Sequence, residues 1–395
     1  MVSLLPLTEL AIARHEVREV EQRHTMDGSR EQALDENDDV VVIYNRVPKT
    51  ASTSFTNIAY DLCGKNKFHV LHINTTKNNP VMSLQDQWNC WLRLTAVTIR
   101  LRVSDGADLG RRCCLDTQMR PESAVRFVRN VTSWREMKPA FYHGHVSFLD
   151  FSKFGVKRKP IYINVIRDPI ERLVSYYYFL RFGDDYRPGL RRRKQGDKKT
   201  FDECVSSGGS DCAAEKLWLQ IPFFCGHYSE CCCQSAVPSQ SVRFRCTNTE
   251  QRVCLLLQLP LRQSGAKYNL VNEYLLVGVT EELEDFVMML EAALPRYFRG
   301  ATELYRTGPA PSPGPHRPRL RKKSHLRKTS EKKPPTKESI AKLQQSEIWK
   351  MENEFYEFAL EQFQFVRAHA VREKDGELYL LAQNFFYEKI YPKMN

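Results

Sequence analysis

One apolar run, Val40-Val41-Val42-Ile43-Tyr44 between Asp39 and Asn45, constrains the fold of this chain more than any other segment. A strand with one wet face alternates apolar and polar residues. A run without alternation is buried on both faces, as in a parallel sheet covered by helices. Arg46 to Ser54 follow as a polar turn, and Phe55 to Cys63 place Phe55, Ile58, Ala59 and Leu62 on one helical face. Further strands are expected at Phe68 to Ile73, Phe141 to Val146, Ile161 to Ile166 and Tyr274 to Val279. Helices are expected from Pro169 to Leu180, where proline suits the first turn, and from Glu281 to Leu294, where early glutamates suit the N-terminus. Apolar residues at helical spacing from Thr336 to Ala370 predict a long C-terminal helix or helix pair. The alternation predicts an α/β fold: a single large P-loop-like domain with a central, mostly parallel sheet flanked by helices.

Residues 1–38 are polar, with few apolar anchors, and read as a stem or linker; 39–395 read as the domain. Three stretches, 88–124, 232–265 and 309–321, break its periodicity with scattered Cys and Arg or with a Pro-rich basic string. They read as insertions, either lineage-specific loops or parts of an imperfectly spliced reading frame. The chain carries 59 Lys and Arg against 47 Asp and Glu, a net charge of +12, which suits a polyanionic partner: nucleic acid, an anionic lipid surface or an acidic polysaccharide. Most of that excess, and seven of the twelve cysteines, lie in the insertions.

No apolar run reaches the roughly 18 to 20 residues of a spanning helix, and the opening Met1 to Leu7 lacks the basic flank of a signal peptide, so the chain as written reads as soluble. The cysteines do not follow zinc spacing. The sequons at Asn74 and Asn130 suit a secretory lumen, where Cys204 with Cys212 and Cys225 with Cys231 can form local disulfides.

Two constellations carry chemistry. Arg46-Val47-Pro48-Lys49-Thr50-Ala51-Ser52-Thr53-Ser54 joins a buried strand to a helix, so helix-start N–H groups, hydroxyls and a lysine can cradle an anion; a solvated Ser/Thr turn is the plain alternative. It lacks the Gly-x-x-x-x-Gly-Lys of a nucleotide-triphosphate loop, which disfavours a nucleotide kinase. In Ile166-Arg167-Asp168-Pro169-Ile170-Glu171-Arg172-Leu173-Val174-Ser175, an arginine at a strand end and a serine two helical turns later can hold a second phosphate at the same sheet edge. His143 and His145, as His-x-His on a strand, would share one face and suit a metal pair, a base with a helper, or structural histidines; a third zinc ligand at recognisable spacing is lacking.

The paired loops resemble the 5′- and 3′-phosphate loops of the sulfotransferases that use 3′-phosphoadenylyl sulfate. Tyr142 to His145, Gly183 to Lys194, Leu326 to Thr329 and Asn384 to Lys389 extend the resemblance to the heparan sulfate 2-O-sulfotransferases, nearly continuously outside the insertions. This implies a Golgi-lumenal enzyme, usually trimeric and membrane-anchored, that moves sulfate to the 2-hydroxyl of hexuronic acid, chiefly iduronate, in heparan sulfate without a metal. Set against that resemblance, the sequence reads as starting within the stem, with no anchor segment expected in it. The resemblance implies His145 as base with His143 in support, and Lys49 at the leaving oxygen. It implies Thr50, Ala51, Ser52 and Thr53 on the 5′ side, Arg167 and Ser175 on the 3′-phosphate, and Ser324, Thr329 and Lys332 completing the nucleotide site. Arg46, His72, Arg187, Arg192, Arg327 and Lys389 fall near the sugar. Forked arginines suit a chain of sulfates and carboxylates, although Arg187 and Arg191 to Arg193 alone could be a solvated basic loop. The rival is a noncatalytic heparan- or nucleic-acid-binding protein, which would keep the basic surface but need neither His145 nor Lys49.

Overall fold

Five apolar runs hydrogen-bond into one sheet: β1 (Val41–Tyr44), β2 (His69–His72), β3 (Ala140–His143), β4 (Ile161–Ile166) and β5 (Tyr274–Val279). Their order is β2-β3-β1-β4-β5 and every pair is parallel. This is a computed structural model, and it describes residues 39–73, 121–184, 192–226, 263–308, 329, 331–374 and 377–380. All four residues of β1 are buried, as its unbroken apolar character requires.

The strand order decides where a ligand can sit. The chain leaves β1 toward β2 on one side and leaves β4 toward β5 on the other. Loops after adjacent strands that depart in opposite directions leave a crevice at the C-terminal sheet edge. The Arg46–Ala51 loop and the Arg167–Asp168 loop border that crevice.

The helices that matter to the site are α1 (Ser52–Leu62), α2 (Pro121–Ser133), α3 (Pro169–Phe182), α4 (Leu283–Ala293), α5 (Lys337–Gln344) and α6 (Glu347–Ala370). Phe55 of α1 is fully buried against the rings of Tyr44, Phe141, Phe286 and Phe298, at centroid distances of 5.0 to 6.3 Å. Truncating such a ring costs roughly 3–5 kcal/mol, so the helix that starts the first loop is held firmly to the sheet. The Asp168 side chain caps α3 by accepting from the Glu171 N–H at 2.7 Å, with Pro169 in the first turn. The opposite face of α3 buries Leu173, Val174, Tyr177 and Tyr178 with Phe201, Leu217 and Leu343 in a second cluster.

Several boundaries differ from the sequence reading. The first helix begins at Ser52 rather than Phe55, because Ala51 adopts a left-handed conformation that ends the turn early. The C-terminal region is a helix pair broken at 345–346, one of the two forms expected there. Helix α2 was not expected, although Ala124, Phe127, Val128 and Val131 recur at helical spacing and are buried. A two-stranded antiparallel hairpin, β6 (Val371–Lys374) with β7 (Glu377–Leu380), follows α6 and was also not expected. Of the segments 88–124, 232–265 and 309–321, only 121–124 and 263–265 fall within the described residues, and both are helical. Among the described residues, no helix is long and apolar enough to cross a membrane.

Candidate active site

The crevice opens into a cleft of about 700 Å³ at the C-terminal edge of the sheet. Lys49, Ala51, Ser52, Thr53, His145, Arg167 and Ser175 all line it, together with Phe179 and a wall formed by Thr280–Asp285. Residues 126 positions apart in sequence, Lys49 and Ser175, thus meet in one cavity.

The first loop is built for an anion. Lys49 and Ala51 both have positive φ, 69° and 54°, flanking Thr50. Two left-handed residues within three tighten the turn into α1, and its N-cap residue, Ala51, makes no side-chain cap hydrogen bond. The helix start therefore offers its donors, and its positive dipole end, to the cleft. The resemblance placed Thr50 on the 5′ side, but its side chain is not among those lining the cleft. It is buried, and its hydroxyl donates to the Val47 carbonyl at 3.0 Å, so it shapes the loop from within.

The two histidines are not on one face. Strand β3 ends at His143, opposite Tyr44 in the β1 register, and Gly144 then passes so close to Ile73 that a Cβ would lie 2.5 Å from its carbonyl oxygen. The chain turns there, leaving His143 buried and His145 exposed at the cleft. His143 Nε2 lies 3.0 Å from the Tyr60 hydroxyl and its ring is 5.1 Å from that of His72. Burial, reinforced by Arg46, His72 and His145, holds the His143 imidazole well below its usual pKa, so it stays neutral at physiological pH. His145 instead places Nδ1 2.8 Å from the Arg46 carbonyl oxygen. A carbonyl only accepts, so Nδ1 carries the proton and donates, leaving the Nε2 lone pair as the acceptor. That is the tautomer a general base needs.

The second loop is held from below. The Gln220 side chain, fully buried, accepts from the Arg167 N–H at 3.0 Å and donates to the Arg167 carbonyl at 2.9 Å. The short helix that carries it, Gln220–Cys225, has its start fixed by the Glu352 carboxylate, which accepts from the N–H groups of Leu219, Gln220 and Ile221. Arg172, fully buried, donates to the carbonyls of Lys216 and Leu217. The second arginine of the motif is therefore scaffold.

Arg167 and Lys332 share one carboxylate: both donate to Glu171 Oε2, at 3.1 and 2.7 Å. Partial burial acts to raise the Glu171 carboxyl, but Lys332 and Arg167 together hold it below its usual range. The Thr329 hydroxyl donates to the Gly183 carbonyl at 2.7 Å, tying Thr329 to the end of α3. Arg192 lies beside Asp184, 3.6 Å away. Cys204 and Cys212 form a disulfide, with S–S 2.08 Å, as expected. Cys225 is disulfide-bonded, and so is Cys63, which the sequence reading did not single out. Asn130 is half-buried in α2. Ser324, Arg187, Arg327, Lys389, Cys231 and Asn74 lie outside the described residues. Glu171, Gln220 and Phe179 were missed: the first two act through contacts distant in sequence or shared, and Phe179 carries only one legible signal, its position four residues after Ser175 on the same helix face.

The model of the sulfotransferase family matches residues 32–234. Over 388 residues, 98% of this chain, the sequence is 71% identical to a chicken protein named heparan sulfate 2-O-sulfotransferase 1, of which 88% is covered. The human protein of the same name is 69% identical over the same span. A Drosophila melanogaster heparin sulfate O-sulfotransferase is 46% identical over 360 residues, 91% of this chain and 81% of the relative.

Proposed function

The chain belongs to the sulfotransferase family, and from that premise we propose that it transfers the sulfuryl group of 3′-phosphoadenylyl sulfate to the 2-hydroxyl of hexuronic acid, chiefly iduronate, in heparan sulfate. The observation that carries the reading is the single cleft in which a helix-start anion cradle, a strand-end arginine and a correctly protonated histidine converge. The donor supplies an activated sulfuryl group on a phosphate leaving group. The residues fit such a molecule: the uncapped start of α1 and Lys49 suit its 5′ end, and Arg167, whose buried Nε has no hydrogen-bond partner among the described residues, suits its 3′-phosphate with Ser175 and Lys332.

In this reading His145 Nε2 takes the proton of the sugar hydroxyl as that oxygen bonds to sulfur, and the bond from sulfur to the bridging phosphate oxygen breaks in line. Lys49 donates to the departing oxygen and offsets its growing charge, as preorganised donors do in phosphoryl transfer. Neutral His143 supports from beneath without competing for the proton. Arg46, His72, Arg187, Arg192, Arg327 and Lys389 grip the acidic acceptor, and Ser324 and Thr329 complete the nucleotide side. The Cys204–Cys212 bridge suits an oxidising lumen, and we place the protein in the Golgi as a homotrimer, glycosylated at Asn74 and Asn130.

The test is direct. Purified chain is incubated with the labelled sulfonucleotide and 2-O-desulfated heparan, and the products are resolved as disaccharides. Label on the 2-position of hexuronate is expected. Heparan binding without transfer would instead favour a noncatalytic polyanion-binding protein.

A further inference from the structure

Phe179 lines the cleft on α3, four residues after Ser175 and hence on the same helical face, and no part of the transfer chemistry above uses it. Two cations from separate segments meet its ring. Lys49 Nζ lies 4.2 Å from the ring centroid, and the Arg192 guanidinium carbon lies 4.9 Å from it. Both distances fall within the range where the negative face of an aromatic ring attracts a cation.

The seat for Arg192 is shaped on its other sides as well. Asp184, with its side chain 2% exposed, pairs with the guanidinium at 3.6 Å. Gly183 presents no side chain to it: a Cβ there would stand 2.3 Å from Arg192 Nε, and its φ of 75° is one that residues with side chains rarely adopt. A carboxylate, a bare glycine and a ring thus enclose one guanidinium. The same ring reaches back to the lysine of the first loop.

We propose that Phe179 is a positioning residue that holds Lys49 and Arg192 in register over one aromatic platform, setting the distance between the group at the leaving oxygen and the group at the acceptor anions. This rests on the functional reading above. A long lysine side chain samples many rotamers, and a ring that favours the cleft-facing ones lowers the cost of delivering its charge in the transition state. Because both cations use one ring, a change in its electrostatics moves donor chemistry and acceptor binding together.

The experiment replaces Phe179 in the full chain with mono-, di- and trifluorinated phenylalanine, which keeps the ring's shape while draining its negative face. The expected result is a stepwise fall in kcat to about a tenth of wild type, with weaker binding of a heparan oligosaccharide, at unchanged melting temperature. Phe179→Leu should lose at least as much, and Phe179→Trp should keep most of the activity. A flat series, or Phe179→Leu matching wild type, overturns the proposal while leaving the function intact. If wild type itself transfers no sulfate, the functional reading fails, and acylation of Lys49 by an amine reagent, read by mass spectrometry, still decides the platform. The acylation rate should rise along the fluorinated series, and an unchanged rate overturns the proposal.

Discussion

Replacing His145 tests the chemistry where the geometry is most explicit. The imidazole is exposed at the cleft, with Nδ1 2.8 Å from the Arg46 carbonyl oxygen, so His145→Ala removes a base from an exposed position. Surface changes of this kind shift stability by about 0.5 kcal/mol or less, whereas general-base catalysis contributes about 10²–10⁴-fold, equivalent to roughly 3–5 kcal/mol of barrier. The two effects differ enough to be separated. Initial rates of sulfate transfer from pH 5 to 9, with heparan binding and thermal melting on the same samples, provide the assay. The expected outcome is kcat lowered at least a hundredfold, KM for both substrates within about threefold, and an unchanged melt. His145→Gln should fail equally, because an amide cannot take the proton. Retention of more than a tenth of wild-type kcat by either variant would refute the assignment.

Other consequences follow from neighbouring contacts. Gly144→Ala forces a Cβ into the Ile73 carbonyl and should displace the His145 turn, lowering kcat at least tenfold with donor affinity preserved; unchanged kcat would contradict the tight turn. Arg181 is buried between Asp197 (2.8 Å) and Asp211 (3.1 Å), so Arg181→Leu should destabilise by about 2–4 kcal/mol in urea melts, the lower part of the range reflecting the partly exposed carboxylates. Burial acts to raise Asp211, but Arg181 and Lys194 hold it below its usual range. Its stabilising contribution is therefore present above the ordinary aspartate pKa of 3.8 and lost as pH falls through the lower folded value, and Arg181→Leu should flatten this acid loss. Replacing Cys204 and Cys212 together by Ser opens a short loop and should cost about 2–3 kcal/mol on chain-entropy grounds, read as a lowered melting temperature under non-reducing conditions.

Much of this protein was determined by contiguous sequence. The β1 run had to be a doubly buried strand because it never alternates, and the Pro48–Ser54 and Arg167–Ser175 segments each carry their turn and helix signals within a few residues. Local backbone preference and burial suffice for such features, and for the Cys204–Cys212 bridge across a short loop. Tertiary structure alone decided the rest. His143 and His145 look equivalent in sequence, yet close passage at Ile73 ends the strand between them, burying one and exposing the other with its tautomer set by the distant Arg46 carbonyl. Gln220, Glu352 and Phe179 gain their roles only because the strand order brings segments far apart in the chain to one sheet edge. Periodicity reports which face of an element is buried; which side chains meet across that face depends on topology, and topology is a property of the whole chain.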